Sequence, residues 1–137
     1  MLDATVAAAE RRGVIEGDSA LVSCDSTGYE AAHVSPYFGR RSGRKKHDFP
    51  KVSELIDIRS HLALASIAER GPSADDRMFH DLVDQALCRR PFHTLLADAG
   101  YDGEPHHQFL HQRGVFGIIP PRRRAATPPL RRATSAR

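Results

Sequence analysis

The chain lacks the features of a membrane or secreted protein. Its 137 residues contain no stretch near the roughly 18 to 20 consecutive apolar residues that a membrane-spanning helix requires. At the N-terminus, Asp3 and Glu10 precede Arg11 and Arg12, which is the wrong charge order for a secretory signal. The sequence therefore predicts a cytoplasmic protein without a membrane partner.

Cysteine is also scarce, since only Cys24 and Cys88 are present. Two cysteines at this separation form neither a disulfide framework nor a zinc-binding spacing. Cys24 falls within an apolar run and Cys88 closes a helical pattern. We therefore expect both to be small, buried apolar residues without redox or metal-binding chemistry.

Acidic residues are absent from residues 122–137, which contain six arginines. The whole chain has a formal net charge of +3, so residues 1–121 taken alone are net acidic. The composition of 122–137 predicts a disordered basic tail. A second basic cluster offers candidate contacts to nucleic-acid phosphates, with ordinary solvated charge as the alternative. Its members are Arg40, Arg41, Arg44, Lys45 and Lys46.

Apolar periodicity predicts a mixture of helices and strands. The expected order is a helix over 3–12, a strand over 20–25, strands over 51–58 and 62–69, a helix over 75–88, a strand over 92–98, a helix over 103–113 and a strand over 115–119. Residues 26–28 are expected to turn the chain, and 29–50 to be irregular. Asp3 and Ser73 are the expected caps of the first two helices. This order predicts an α/β fold of the α+β type, with a mixed sheet and helices against its faces.

Two aspartates follow short apolar runs and precede turn-forming residues. Asp25 follows Leu21-Val-Ser-Cys, and Asp98 follows Leu95-Leu-Ala. Carboxylates delivered by neighbouring strands can hold the divalent ions that assist in-line displacement at a phosphodiester. The alternative is that each aspartate only hydrogen-bonds the turn that follows it. Spacing alone leaves both interpretations open.

No convincing third acidic ligand follows Asp98. The remaining acids after it are Asp102 and Glu104, and Glu104 suits the positive end of a helix dipole. Asp75 and Asp76 are likewise expected to be first-turn helix acids. The sequence therefore supplies two candidate metal ligands and no clear third.

The histidines of the helix over 103–113 offer a weaker metal pattern. His107 and His111 are four residues apart, so they face one way on a helix and resemble half of a zinc site. No cysteine or third ligand accompanies them. An ordinary polar helix face is the favoured interpretation.

Taken in order, several motifs resemble the DDE transposases of bacterial insertion sequences. They are Asp25-Ser-Thr, the basic Arg41–His47 loop, Lys51 with Ile56-Asp57, Asp75 near the start of the long helix, Leu96-Ala-Asp-Ala-Gly-Tyr-Asp102, and Gly117-Ile-Ile-Pro-Pro-Arg122. The resemblance covers most of residues 18–121. It implies a ribonuclease H-like fold, with the first aspartate on the central strand and the second just after the fourth strand.

The resemblance also implies roles for the two aspartates. Asp25 and Asp98 would be catalytic residues that bind Mg²⁺ or Mn²⁺, and the partner would be the DNA of insertion-sequence ends, bound by relatives that can be homo-oligomers. The family's third ligand is a glutamate on a later helix, for which this chain has no counterpart.

We therefore expect a transposase fragment that is inactive alone. Its expected parts are a remnant of a preceding helical region over 1–17, a partial domain over 18–121 that is incomplete at its C-terminal end, and the tail over 122–137. Two alternatives remain. One is a small metal-dependent nuclease that uses Asp102 or Glu104 as its third acid, and the other is a non-catalytic nucleic-acid-binding protein.

Overall fold

The computed structural model describes residues 1–29 and 49–122. Within these residues the helices and strands are α1 (Leu2–Arg11), β1 (Ser19–Gly28), β2 (Phe49–Asp57), β3 (Ala63–Gly71), α2 (Phe79–Arg89), β4 (Phe92–Leu96), α3 (Glu104–Gln112) and β5 (Phe116–Ile118). Short 3₁₀ turns, Asp75–Met78 and Ala99–Tyr101, precede α2 and follow β4. No helix in this part of the chain is long and apolar enough to cross a membrane. The basic cluster at residues 40–46 and the tail from residue 123 lie outside the described residues.

The five strands form one mixed sheet in the order β3-β2-β1-β4-β5. β1, β2 and β3 are antiparallel neighbours, while β4 runs parallel to β1 and β5 runs parallel to β4. The expected mixed sheet is confirmed. Its central strand is β1, which is the position that the ribonuclease H-like expectation gives to the first aspartate.

One face of the sheet packs against α2 and α3. The buried face of α2 consists of Phe79, Leu82, Val83 and Ala86, which is the predicted apolar stripe. On α3, Leu110 packs toward β5, where a Cβ atom on Gly117 would lie 2.7 Å from a methyl group of Leu110. This close approach explains the glycine in the middle of a strand.

The β2–β3 hairpin closes through a side chain as well as through backbone bonds. Asp57 Oδ2 accepts hydrogen bonds from Ser60 N at 2.8 Å and from Ser60 Oγ at 2.5 Å. Burial acts to raise the pKa of Asp57, but these bonds and the charge of Arg90 lower it overall. Asp57 is thus held as a buried carboxylate that fixes the turn.

Two adjacent arginines attach the N-terminal segment to the sheet. Arg90 is 5% exposed and donates to Glu10 Oε1 at 3.0 Å, to Ser19 Oγ at 3.1 Å and to the Gly17 carbonyl. Arg89 Nε lies 2.6 Å from Asp3 Oδ1. The cap expected at Asp3 is wrong, because α1 begins at Leu2 and Asp3 lies in its first turn.

Three further sequence expectations are wrong. β1 continues through Gly28 because Ser26, Thr27 and Gly28 pair with β2, a partner distant in sequence. Ser73 does not cap α2; its carbonyl accepts from Lys51 Nζ at 3.0 Å. Cys88 is exposed, since it lies off the apolar stripe of its helix.

Candidate metal centre

Asp25 lies on the central strand rather than at its end. It is exposed, and its Oδ1 accepts from Ser26 N at 2.7 Å. Because side chains alternate along a strand, Asp25 projects away from the face on which its neighbour Cys24 is buried. The carboxylate of Asp25 is therefore accessible to solvent.

Asp98 follows β4 by two residues and caps the 3₁₀ turn Ala99–Tyr101. Its Oδ1 accepts from Gly100 N at 2.7 Å, and a Cβ atom at Gly100 would lie 2.8 Å from that oxygen. Glycine therefore leaves room for the bond. The turn-capping role that the sequence left open is present at Asp98, and it orients the carboxylate.

The register of β1 and β4 brings the two aspartates to the same end of the sheet. Val22 pairs with Leu95 and Ser23 pairs with Leu96 in a parallel ladder. Asp25 lies two residues beyond the last paired residue of β1 in this ladder, and Asp98 lies two residues beyond that of β4. Both carboxylates also act electrostatically on the Cys24 thiol. The structure thus brings the two predicted metal ligands to the same end of the sheet, with Asp25 within β1 and Asp98 two residues beyond β4.

A network of neutral hydroxyl groups connects the segments that carry the two aspartates. The Tyr101 hydroxyl lies 2.9 Å from Ser26 Oγ, which in turn lies 2.7 Å from Ser53 Oγ on β2. A further hydrogen bond joins Tyr101 to the Cys24 thiol. Burial raises the pKa of Cys24 to about 12 and that of Tyr101 well above its usual range, so both groups remain protonated.

A buried lysine links the same end of the sheet to the start of α2. Lys51 Nζ lies 2.7 Å from Asp75 Oδ1 and 3.6 Å from Glu69 Oε1. The Lys51 and Glu69 side chains are 4% and 5% exposed. Asp75 is therefore an ion-pair partner of Lys51 in addition to being an acid at the start of a helical segment. Neither carboxylate oxygen of Glu69 has a hydrogen-bond partner within the described residues.

Sequence reasoning missed one acid near Asp25. Glu54 on β2 is the direct cross-strand partner of Asp25, and its Oε1 accepts from Ser66 Oγ at 3.2 Å. Directly opposed residues of an antiparallel pair have neighbouring side chains, and like charges there repel. The register between β1 and β2 was the missing information, because a long connection separates the two strands and leaves their pairing undetermined by local sequence.

Within the part of the chain that the structure describes, the other acids and histidines do not assemble into a metal site. Asp102 accepts from Arg122 N at 2.7 Å and pairs with His107 Nε2 at 3.0 Å, and these partners lower its pKa. Glu104 Oε1 accepts from Gln108 Nε2 at 2.9 Å on the helix surface. His111 is exposed. Among residues 1–29 and 49–122, no group of three histidine, cysteine or acidic side chains is arranged to hold a metal ion.

The strand order and the helices define a class of protein, namely mixed α/β domains with a five-stranded sheet. Within that class, the sequence matches the family model described as "Transposase DDE domain" over residues 3–136. The chain therefore belongs to the DDE transposase domain family. Among curated proteins, no significant match is found.

Integrases are among the solved structures that match this chain. The catalytic core domain of BIV integrase has a TM-score of 0.49 and 12% identity, over 74% of this chain and 55% of that chain. The simian T-cell lymphotropic virus intasome in complex with PP2A regulatory subunit B56 gamma has a TM-score of 0.49 and 9% identity, over 76% of this chain and 32% of that one. The chain thus spans about half and about a third of these two chains.

Proposed function

We propose that this chain is an insertion-sequence transposase domain in which Asp25 and Asp98 bind Mg²⁺ or Mn²⁺. The observation that carries the proposal is the parallel pairing of β1 with β4, since it supports a location of both aspartates at one end of the sheet. Family membership supports the same assignment, because divalent ions serve DDE enzymes in general. DNA is the proposed substrate and partner.

The donor set fits such ions. Both aspartates supply hard carboxylate oxygens, both are exposed, and Mg²⁺ is commonly held by one or two carboxylates while it keeps several waters. When bound, divalent ions activate the attacking water or hydroxyl and stabilise the leaving oxygen in phosphodiester displacement. The contribution of this chain is to supply the two carboxylates at one end of the sheet, with Ser26 N and Gly100 N orienting them.

We further propose that the chain alone is catalytically inactive. Two carboxylates without a third protein ligand hold a metal loosely, and the described residues offer no complete group of three. Asp102 and Glu104 are engaged by Arg122, His107 and Gln108, which disfavours the nuclease alternative. Purified protein is therefore expected neither to nick plasmid DNA nor to transfer strands with either ion. Nicking that disappears in Asp25→Asn would instead support the nuclease alternative.

The direct test measures Mn²⁺ binding. Millimolar Mn²⁺ is added to the protein, and the electron paramagnetic resonance signal reports how much of the ion remains free. Asp25→Asn and Asp98→Asn should each lower the amount of bound Mn²⁺. The matched control is Asp81→Asn, which removes an exposed acid in the first turn of α2 and should leave binding unchanged. Equal binding by all four proteins would show that the aspartate pair is not the metal site.

A further inference from the structure

The polypeptide has a side-chain bridge between the two aspartate-bearing segments. Tyr101 lies three residues after Asp98, in the turn that Asp98 caps, and its backbone N donates to the Asp98 carbonyl at 3.1 Å. Its hydroxyl lies 2.9 Å from Ser26 Oγ. Ser26 directly follows Asp25 and donates its backbone N–H to that carboxylate at 2.7 Å. A continuous series of bonds thus runs from Asp25 to Asp98.

This bridge lies where the backbone ladder no longer connects the two strands. The last paired residues of β1 and β4 are Ser23 and Leu96. Asp25 and Asp98 lie beyond that pair, so no ladder hydrogen bond fixes the distance between their backbones. The contact between Tyr101 and Ser26 is placed to supply that constraint.

Both ends of the bridge are themselves held rigidly. The Tyr101 side chain is 1% exposed and packs against the Phe79 ring, with the ring centroids 5.4 Å apart. Ser26 Oγ is bound on its other side by Ser53 Oγ of β2 at 2.7 Å. Tyr101 and Ser53 are buried and Ser26 is half-buried between them, so protein groups supply the hydrogen-bond partners of all three hydroxyls.

We infer that Tyr101 and Ser26 are positioning residues that set the separation of Asp25 and Asp98 for a divalent ion. The inference rests on the proposed function, because it concerns the same two aspartates. It assigns to Tyr101 and Ser26 a task that the sequence did not indicate, since Ser26 was expected only to turn the chain. Groups that orient metal ligands typically change metal affinity about 10- to 100-fold when they are removed.

The experiment compares Tyr101→Phe with a control that loses a buried hydrogen bond elsewhere on β1. The control is Ser19→Ala, because Ser19 is 4% exposed and binds Arg90 Nε at 3.1 Å at the opposite end of the strand. Mn²⁺ affinity and the thermal unfolding midpoint are measured for each variant. We expect both variants to lower the midpoint, and only Tyr101→Phe to weaken Mn²⁺ binding, by about tenfold.

A second pair of variants keeps the test valid if Tyr101→Phe folds poorly. Ser26→Ala removes the hydroxyl and should weaken Mn²⁺ binding, whereas Ser26→Thr keeps a hydroxyl and should bind Mn²⁺ like the wild type. Wild-type affinity in both Tyr101→Phe and Ser26→Ala would overturn the inference. If Asp25→Asn still weakens binding, that result leaves the proposed function standing. If Asp25→Asn binds like the wild type, the proposed metal site itself is wrong and the inference falls with it.

Discussion

The two cysteines differ in their exposure to solvent. Cys24 is buried on β1 and hydrogen-bonded to Tyr101, while Cys88 is exposed on α2. The sequence predicted burial for both. The prediction was right for Cys24, which lies in an apolar stretch of β1. It was wrong for Cys88, because successive residues of a helix point in different directions and Cys88 points toward solvent.

The two thiols should therefore react at very different rates. Burial raises the pKa of Cys24 to about 12, so almost none of it is thiolate at pH 8, and the reagent has no access to it. We expect one maleimide per native molecule, as measured by intact mass, and two per molecule in urea. Cys88→Ser should abolish labelling of the native protein. Equal labelling of both thiols in the native protein would contradict the burial of Cys24.

At the scale of elements, the sequence predicted what local patterns determine. The apolar stripe of α2 and the clusters of apolar residues in β2 and β3 identified those elements within a few residues. Boundaries set by distant partners were not predictable. β1 extends beyond its apolar residues because it remains paired with β2 as far as Gly28. β4 ends at Leu96, where its pairing with β1 and with β5 also ends.

The contact between α2 and α3 should weaken in acid. His80 stacks on Phe109 with ring centroids 4.0 Å apart, and its Nε2 lies 3.0 Å from His106 Nδ1. Burial, followed by the charge of His106, lowers the pKa of His80 below its ordinary value of 6.5. The unfolded chain therefore binds a proton more readily than the folded one, and stability falls as the pH drops below 6.5 toward that lowered value.

Replacing the imidazole while keeping the ring tests this origin of the pH dependence. His80→Phe preserves an aromatic surface for Phe109 and removes the titrating group. The change in urea midpoint between pH 7 and pH 5 should be smaller in His80→Phe than in the wild type. The charged and titratable groups that act on His80 all remain in the variant; they are Asp81, Asp84, His106 and Arg113. An identical pH dependence in both proteins would exclude His80 as a contributor.

At the scale of the whole molecule, the candidate metal centre was only partly predictable. Asp25 and Asp98 were identified because each ends a local apolar run and falls in a recognisable motif. The supporting residues required the three-dimensional register. Glu54 becomes a neighbour of Asp25 only through the pairing of β1 with β2, and Tyr101 reaches Ser26 only because β4 lies beside β1.

The charge distribution predicts which segments of the chain should attract DNA. Residues 1–121 are net acidic, whereas six arginines lie in residues 122–137, and deleting 123–137 removes five of them. Each phosphate contact that is lost should reduce the salt dependence of binding by about 0.9 in the slope of log K against log salt concentration. Binding of a labelled duplex, measured by fluorescence anisotropy at several salt concentrations, should therefore weaken on this deletion and become less salt-dependent.

Substitutions in the two basic segments separate their contributions. Changing Arg40, Arg41, Arg44, Lys45 and Lys46 to alanine tests the predicted loop contacts while the tail is kept. Asp25→Asn is the control, because removing one carboxylate should not weaken attraction to a polyanion. If the tail deletion leaves the affinity unchanged and the loop substitutions abolish it, the loop alone carries binding. If neither change alters the affinity or its salt slope, DNA attraction does not arise from these clusters, and the proposed partner loses its electrostatic basis.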